Sequence, residues 1–389
     1  MMMQAQTHRT AVLPTVSTSR VVATRCHPKR LQAFSGVSQS FAKGTAFCAR
    51  PVRKVTNRCQ TQRIHADVFY TQKTVPDQTG RVAIVTGSSS GMGFEVAKCL
   101  SQKNATVIIA ARDKQKCEKA AAEIKAQGGR GRIEAMELDL TSFRSIKAFA
   151  DRYLELGLPL HTLVNNAGVF LVPHDHTQEG FETTVGTNYF GHYYLTHLLL
   201  DKLIQTQKED GMARAVFMSS TFEQLGNINW SDLEMYKSEE SGLFEYATSK
   251  IMKLMLAREL NKRLKGTGVE MFAAQPGLVS SPLYSKGDHK KATMLAVEFF
   301  QSFYGQSPVR GCRGLLRAAT DPNLRGRGGQ YFSPPYLSVV TFHLNNAGRF
   351  FPYHKSSRNE GDWKRLYDQS LDIVNRKLKE KSLPAIKAV

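Results

Sequence analysis

Residues 81–93, Arg81-Val82-Ala83-Ile84-Val85-Thr86-Gly87-Ser88-Ser89-Ser90-Gly91-Met92-Gly93, decide the fold. The first six form a short apolar run rich in β-branched residues, which suits a strand buried on both faces. Helical spacing follows directly over residues 94–102. Between them, Gly87 permits a tight turn, Gly91 lets the backbone approach a bound diphosphate, and Gly93 allows a helix to pack closely on a strand. The N–H groups of Ser88, Ser89, Ser90 and Met92 and the positive helix end then attract that anion. The spacing is GxxxGxG, which departs from the GxGxxG fingerprint. No Gly-Lys-Ser/Thr ending follows, which disfavours a nucleotide-hydrolysing loop. Taken alone, the stretch also reads as a purely structural turn.

Working outward, strands and helices alternate. Residues 105–111, 132–138, 160–164, 213–218 and 269–274 read as further buried strands, with a short seventh at 329–332. Helical spacing occupies 114–127, 142–156, 180–205 and 246–264 between them. Such alternation predicts an α/β fold, a single Rossmann-like doubly wound parallel sheet with helices on both faces. Its ligand crevice lies at the carboxyl ends of the strands, where every motif below falls.

The chain has 389 residues, with 53 Lys and Arg against 33 Asp and Glu. The excess is concentrated in residues 1–66, which contain eleven basic residues and no acid before Asp67. The remainder holds 42 basic and 33 acidic groups, a net of +9. An acid-free leader rich in Arg, Ser and Thr reads as an organelle transit peptide, chloroplast first and mitochondrion second. No Lys/Arg block interleaves with aromatics, so nucleic acid is not the expected partner. The predicted organisation is a leader over 1–66, a linker over 67–79, a domain over 80–335 and a C-terminal extension over 336–389. Outside the leader only Cys99, Cys117 and Cys312 remain, read as buried or free thiols. No apolar run reaches the ~18 residues of a membrane-spanning helix.

The second strand ends at Ala111-Arg112-Asp113. An acid at that tip would hold the ribose hydroxyls of NAD, whereas an Arg neutralises the 2′-phosphate of NADP. Arg112 at the tip, with Ser88 available from the first turn, predicts NADP(H); the plainer reading is a surface Arg. The third strand ends in Asp139-Leu140, near the adenine edge, although Asp is also a common helix N-cap. The fourth ends in Asn165-Asn166-Ala167-Gly168, small polar residues where a cofactor would cross the sheet.

Tyr246-Ala247-Thr248-Ser249-Lys250 carries the chemistry. Positions i and i+4 share a helix face, so the ammonium of Lys250 sits close to the phenol of Tyr246. A free phenol has a pKa near 10 and is a poor acid or base at neutral pH; a neighbouring cation favours its phenolate. That is acid–base tuning, although a Tyr–x3–Lys pair also arises by chance. Ser220, just past the fifth strand, can hold a substrate oxygen. Asn188 sits mid-helix against its propensity, which anchoring a water beside Lys250 would explain.

TGSSSGMG, NNAG, Asn188, Ser220, YATSK and Pro276-Gly277 follow the order and spacing of the short-chain dehydrogenase/reductase family, which residues 80–333 resemble. The resemblance implies Asn188, Ser220, Tyr246 and Lys250 as a catalytic tetrad. It also implies a nicotinamide cofactor held by the glycine turn, by Lys250 and Tyr246, and by the loop Pro276, Gly277, Val279 and Ser281. Ser281 stands where the family usually has Thr and keeps the hydroxyl. The spacing from Ser220 to Tyr246 and the stretch 180–203 resemble the retinol-dehydrogenase-like branch and its relative, light-dependent protochlorophyllide reductase.

Residues 278–306 are unusually apolar for a loop, with Met294, Leu295, Val297, Phe299, Phe300, Phe303 and Tyr304. They read as a lid for a lipophilic substrate, or as a helix packed on the core or on a second subunit. An amphipathic helix around 363–378 is expected to cover that lid or to dock on a membrane surface through Lys and Arg. The family often pairs through helices such as 180–205 and 246–264, so a homodimer is an expectation. His174, Asp175 and His176 lack a third ligand in view, and no metal is expected. The leading function is an NADPH-dependent oxidoreductase acting on a carbonyl or alcohol of a hydrophobic molecule. The alternatives are a protochlorophyllide-reductase-like photoenzyme and an NADPH-sensing interaction module at a chloroplast membrane.

Overall fold

The computed structural model describes residues 70–237, 242–280, 305–333 and 355–389. The apolar runs become β1 (Val82–Thr86), β2 (Thr106–Ala111), β3 (Ile133–Glu137), β4 (Thr162–Asn165), β5 (Arg214–Met218), β6 (Glu270–Ala274) and β7 (Tyr331–Phe332). They form one sheet in the order β3-β2-β1-β4-β5-β6-β7 with every pair parallel. The order reverses between β1 and β4, which opens a crevice at their carboxyl ends.

Alternate strand residues face two separate cores. Val82, Ile84, Leu163, Ala215, Phe217 and Met271 pack under α3 (Phe143–Glu155), α4 (Gly191–Asp210) and α5 (Leu243–Arg263). Ala83, Val85, Val107, Val164, Val216 and Phe272 pack under α1 (Gly91–Gln102), α2 (Lys114–Ala126) and α6 (Arg313–Thr320). Burial on both faces is why these strands read as continuous apolar runs rather than as alternating ones.

Three features differ from the expectations. The helix expected over 180–205 starts only at Thr183, where the Glu182 carboxylate accepts the N–H groups of Thr184 and Val185 at 2.9 and 2.8 Å. It then runs through a π-helical turn, Gly186–Phe190, before continuing as α4. Segment 70–79, expected to be a linker, packs onto the core through Tyr70 and Val75, and the Tyr70 hydroxyl pairs with Thr320 Oγ1 at 2.7 Å.

The C-terminal helix α7 (Glu360–Glu380) lays Leu366, Tyr367, Val374 and Leu378 into the first core. Its apolar stripe therefore meets protein: Tyr193 donates to the Tyr367 carbonyl at 3.1 Å, and Tyr189 pairs with Ser370 at 2.9 Å. No helix among the described residues is long and apolar enough to cross a membrane. The lid residues 294–304 and Ser281 lie outside the described residues.

Candidate active site

The glycine turn is closed from below. Gly87 has φ +66°, and a Cβ there would lie 2.8 Å from the Cα of Ala167. Asn166 donates from Nδ2 to the carbonyl of Thr86 at 2.8 Å, and the Ala167 N–H donates to the Thr86 hydroxyl at 2.9 Å. The NNAG segment is thus the floor of the turn. Ser90 is exposed, while Ser89, Gly91 and Met92 are half-buried at the start of twelve-residue α1, which leaves the helix N–H groups facing the crevice. Gly93 has its Cα against the backbone of Gly87, with no room for a side chain.

Two side chains expected at the cofactor are turned inward. Ser88 is fully buried; its hydroxyl donates to the Val85 carbonyl at 2.6 Å and accepts from the Ala110 N–H at 3.2 Å. It stitches β1 to β2 and offers no hydroxyl to a phosphate. Asn165 is also fully buried and donates from Nδ2 to Thr196 Oγ1 at 3.0 Å, toward α4. Side chains at a strand end alternate between faces, and these two fall on the inward side.

At the β2 tip, Arg112 is exposed. Its neighbour Asp113 is occupied as the N-cap of α2, accepting from the Lys116 N–H at 3.0 Å, with the Lys116 ammonium 3.0 Å away. Asp139 accepts from both the N–H and the hydroxyl of Thr141, at 3.0 and 2.8 Å, beside buried Leu140. It is not the cap of α3; Ser142 is. Beyond β6, Gly277 has φ +77° and its N–H donates to Gln275 at 2.8 Å. Val279 is buried and bridges Gln306, and both Val279 and Met92 press on Gly311, so this loop adjoins the glycine turn.

Tyr246 and Lys250 lie in the first turns of α5, which opens with Glu245 reaching back to the Gly242 N–H at 2.7 Å. Lys250 Nζ lies 5.1 Å from the centroid of the Tyr246 ring. The ring also packs edge-on against Phe170 at 4.6 Å and Phe222 at 6.3 Å, so the phenol sits in an aromatic pocket. Ser220 caps the short turn after β5, accepting from the Phe222 N–H at 3.3 Å. Ser219 is committed to the Lys250 carbonyl at 2.9 Å.

Lys250 is wholly buried, and its one protein hydrogen bond among the described residues is a long one, 3.5 Å to the Met218 carbonyl. An ammonium carries three donors, so most of its capacity is left for a ligand. Burial pushes this amine down to about 7.

Asn188 occupies the π turn, a feature that often marks functional sites. Its side chain does not stand ready for a water as expected. Oδ1 accepts from the Val169 N–H at 2.8 Å, and Nδ2 donates to the Val169 carbonyl at 3.1 Å and to Ser249 at 3.1 Å. It clamps the chain just past NNAG against the catalytic helix. Behind it lie two buried groups that the sequence reading did not single out, His192 and Lys253. The available signal was their spacing, four residues after Asn188 and three after Lys250.

Residues 81–292, over half of the chain, match the family described as short chain dehydrogenase. The chain belongs to the short-chain dehydrogenase family. Among its relatives, retinol dehydrogenase 11 of Mus musculus is 37% identical, over 76% of this chain and 86% of that protein. Polyprenol dehydrogenase of Danio rerio is 38% identical, over 66% of this chain and 79% of the other. Among solved structures, an uncharacterized protein from Mycobacterium Paratuberculosis is 28% identical, with a TM-score of 0.59, covering 78% of this chain and 97% of that one. A 3-ketoacyl-(acyl-carrier-protein) reductase from Brucella melitensis, solved with NADH, shares the fold at a TM-score of 0.51 and 21% identity, covering 66% and 96% of the two chains. This short-chain dehydrogenase thus has its four tetrad candidates, the glycine turn and the NNAG segment gathered at one end of the sheet.

Proposed function

We propose that this chain is an NADPH-dependent oxidoreductase acting on a carbonyl or alcohol of a hydrophobic molecule, with Tyr246 as the general acid and base. The observation that carries the reading is the buried Tyr246–Lys250 pair, 5.1 Å from ammonium nitrogen to ring centroid, with most of the lysine's donors unspent.

The protein groups fit a dinucleotide. Positive-φ Gly87 and Gly91, the open N-terminus of α1 and the side-chain-free edge at Gly168 make a cradle that larger residues would fill. A nicotinamide, when bound, supplies or takes up the hydride. The chain's own residues do the rest. Ser220 orients the substrate oxygen; Tyr246 delivers a proton to it in reduction and removes one in oxidation. Lys250 favours the phenolate through its charge and turns its free donors to the ribose. Phe170, Phe222 and Leu243 surround the phenol with apolar surface, which excludes water and suits a lipophilic substrate. The retinol and polyprenol named for the relatives point to the same class, a long apolar allylic alcohol or its aldehyde. Exposed Arg112, with Asp113 tied into a cap, favours the 2′-phosphate of NADP(H). The acid-free leader supports import into the chloroplast.

The test is turnover with NADPH and NADH on a panel of retinoid and isoprenoid aldehydes, for wild type and Tyr246→Phe. Cofactor oxidation by wild type with at least a ~10²-fold loss in Tyr246→Phe supports the reading. Equal rates in both sink it.

A further inference from the structure

Behind the Tyr246–Lys250 pair lies a second set of buried ionisable groups that the reaction above does not use. Lys253 is wholly buried on α5, three residues beyond Lys250. Its Nζ donates to the Asn165 carbonyl at 2.8 Å and lies 3.4 Å from His192 Nδ1. His192 is buried as completely, with Nδ1 2.9 Å from the Asn188 carbonyl and Nε2 3.0 Å from the Thr86 hydroxyl.

One proton is fixed by its partner: a carbonyl oxygen only accepts, so Nδ1 carries a hydrogen and donates it to Asn188. Nε2 faces the Thr86 hydroxyl, which is also within 3.3 Å of the Val164 carbonyl. Burial without a carboxylate partner favours the neutral ring. Among the described residues, the groups facing this pair are Lys250 on α5, Asn165 at the end of β4, Asn188 in the π turn and Thr86 at the end of β1; of these only Lys250 is ionisable. The ion pairs of α5, Arg263–Glu259 and Lys262–Glu360, lie near its other end. With no carboxylate beside it, a second ammonium here would be an uncompensated buried charge. Burial first, and the charge of Lys250 second, holds the Lys253 amine far below the ordinary lysine range. Burial holds His192 well below its own.

These contacts join four parts of the site. Thr86 precedes the glycine turn, Asn165 opens the NNAG segment, Asn188 clamps Val169, and α5 carries Tyr246 and Lys250. We propose that Lys253 and His192 are an uncharged positioning pair that fixes the Asn165 and Asn188 carbonyls behind Lys250, and that gain of a proton by either one loosens the site. A protonated His192 donates from Nε2 and turns the Thr86 hydrogen wholly onto the Val164 carbonyl, at an oxygen that also receives the Ala167 N–H. A protonated Lys253 sets a second cation beside Lys250. The inference rests on reading Tyr246 and Lys250 as the acid–base pair.

It is tested by the pH profile of kcat/KM between about pH 5 and pH 9 for wild type, Lys253→Met and His192→Asn, with Tyr246→Phe as control. Met occupies the lysine's volume without titrating; Asn keeps a donor near the position of Nδ1. In both variants the acid limb is expected to move to lower pH by about half a unit or more. In Lys253→Met, kcat at pH 8 is expected to fall roughly tenfold while the cofactor Kd changes less than about threefold. Acid limbs that superimpose on wild type, with Tyr246→Phe inactive, overturn the inference and leave the acid–base reading standing. Full turnover by Tyr246→Phe overturns that reading instead. Nitrogen-15 NMR of the wild-type His192 ring supplies a measurement free of variants. The neutral Nδ1–H tautomer is expected at pH 7, and an imidazolium there overturns the proposal.

Discussion

A Cβ built on Gly168 would stand 3.3 Å from Nζ of Lys250 and 3.0 Å from Oδ1 of Asn188. The last residue of NNAG therefore borders both the buried amine and the clamp that holds the loop. One methyl group there takes up the space into which Lys250 would extend its donors, while the backbone of Gly168 tolerates a side chain because its φ is not positive. Gly168→Ala is expected to weaken nicotinamide cofactor binding by roughly tenfold, about 1.4 kcal/mol, with a much smaller effect on thermal stability. Isothermal titration beside a melting curve checks it; unchanged affinity would remove Gly168 from the cofactor site.

The choice between the two nicotinamide cofactors turns on Arg112. Its guanidinium is exposed at the β2 tip, and the nearest acid, Asp113, is engaged by Lys116 and so does not substitute for a ribose-binding carboxylate. Arg112→Asp is expected to raise KM for NADPH at least tenfold relative to KM for NADH, because a fixed cation is exchanged for an anion facing a phosphate. Steady-state kinetics with both cofactors decides it. Parallel changes in the two constants would show that this residue does not read the phosphate.

Lys250 makes the stability of the protein depend on pH. Its folded value, pushed down to about 7 by burial, lies below the ordinary lysine value near 10.4. Between those values the unfolded chain binds the extra proton, so stability rises with pH across that window and is lowest below it. The full effect is on the order of 5 kcal/mol. Lys250→Met is expected to flatten the rise, to increase Tm at pH 7 and to abolish turnover. Melting curves from about pH 6 to pH 9 test the sign; a wild-type Tm that falls through this window by the same amount in the variant would contradict it.

The strands were legible because burial on both faces leaves uninterrupted β-branched runs, as in Val82–Thr86 and Thr106–Ala111. The glycine turn was legible because positive φ at Gly87 and Gly91 restricts residue choice. The π turn was not: every residue from Gly186 to Phe190 is buried, so no polar face marks the phase of the helix. Lys253 on α5 was not legible either: lysine is among the residue types least often buried, and only the Tyr246 motif marked its neighbour Lys250, although both are fully inside. The inward turn of Ser88 and Asn165 follows from where the strands stop, a boundary that sequence periodicity locates only to within a residue or two. The helix over 363–378 was found from its amphipathic pattern, but its partner was not, because an apolar stripe fits a lipid surface as well as another helix.

That partner makes the last prediction. Tyr367 stacks under the Arg263 guanidinium at 3.8 Å, its hydroxyl lies 3.1 Å from His197 Nε2, and its carbonyl receives the Tyr193 hydroxyl at 3.1 Å. Arg263 ends α5, and Tyr193 and His197 belong to α4, so α7 holds together the two helices that carry Lys250 and, through the π turn, Asn188. Tyr367→Ala removes a fully buried ring and is expected to cost about 3–5 kcal/mol, in line with large-to-small changes in a core. Because α4 and α5 meet at the site, kcat is expected to decline in this variant at temperatures where it is still folded. Chemical denaturation measures the first effect and turnover below the unfolding transition the second. A variant as stable as wild type would mean that α7 rests on the domain without supporting it, and would return its apolar stripe to the candidates for an external surface.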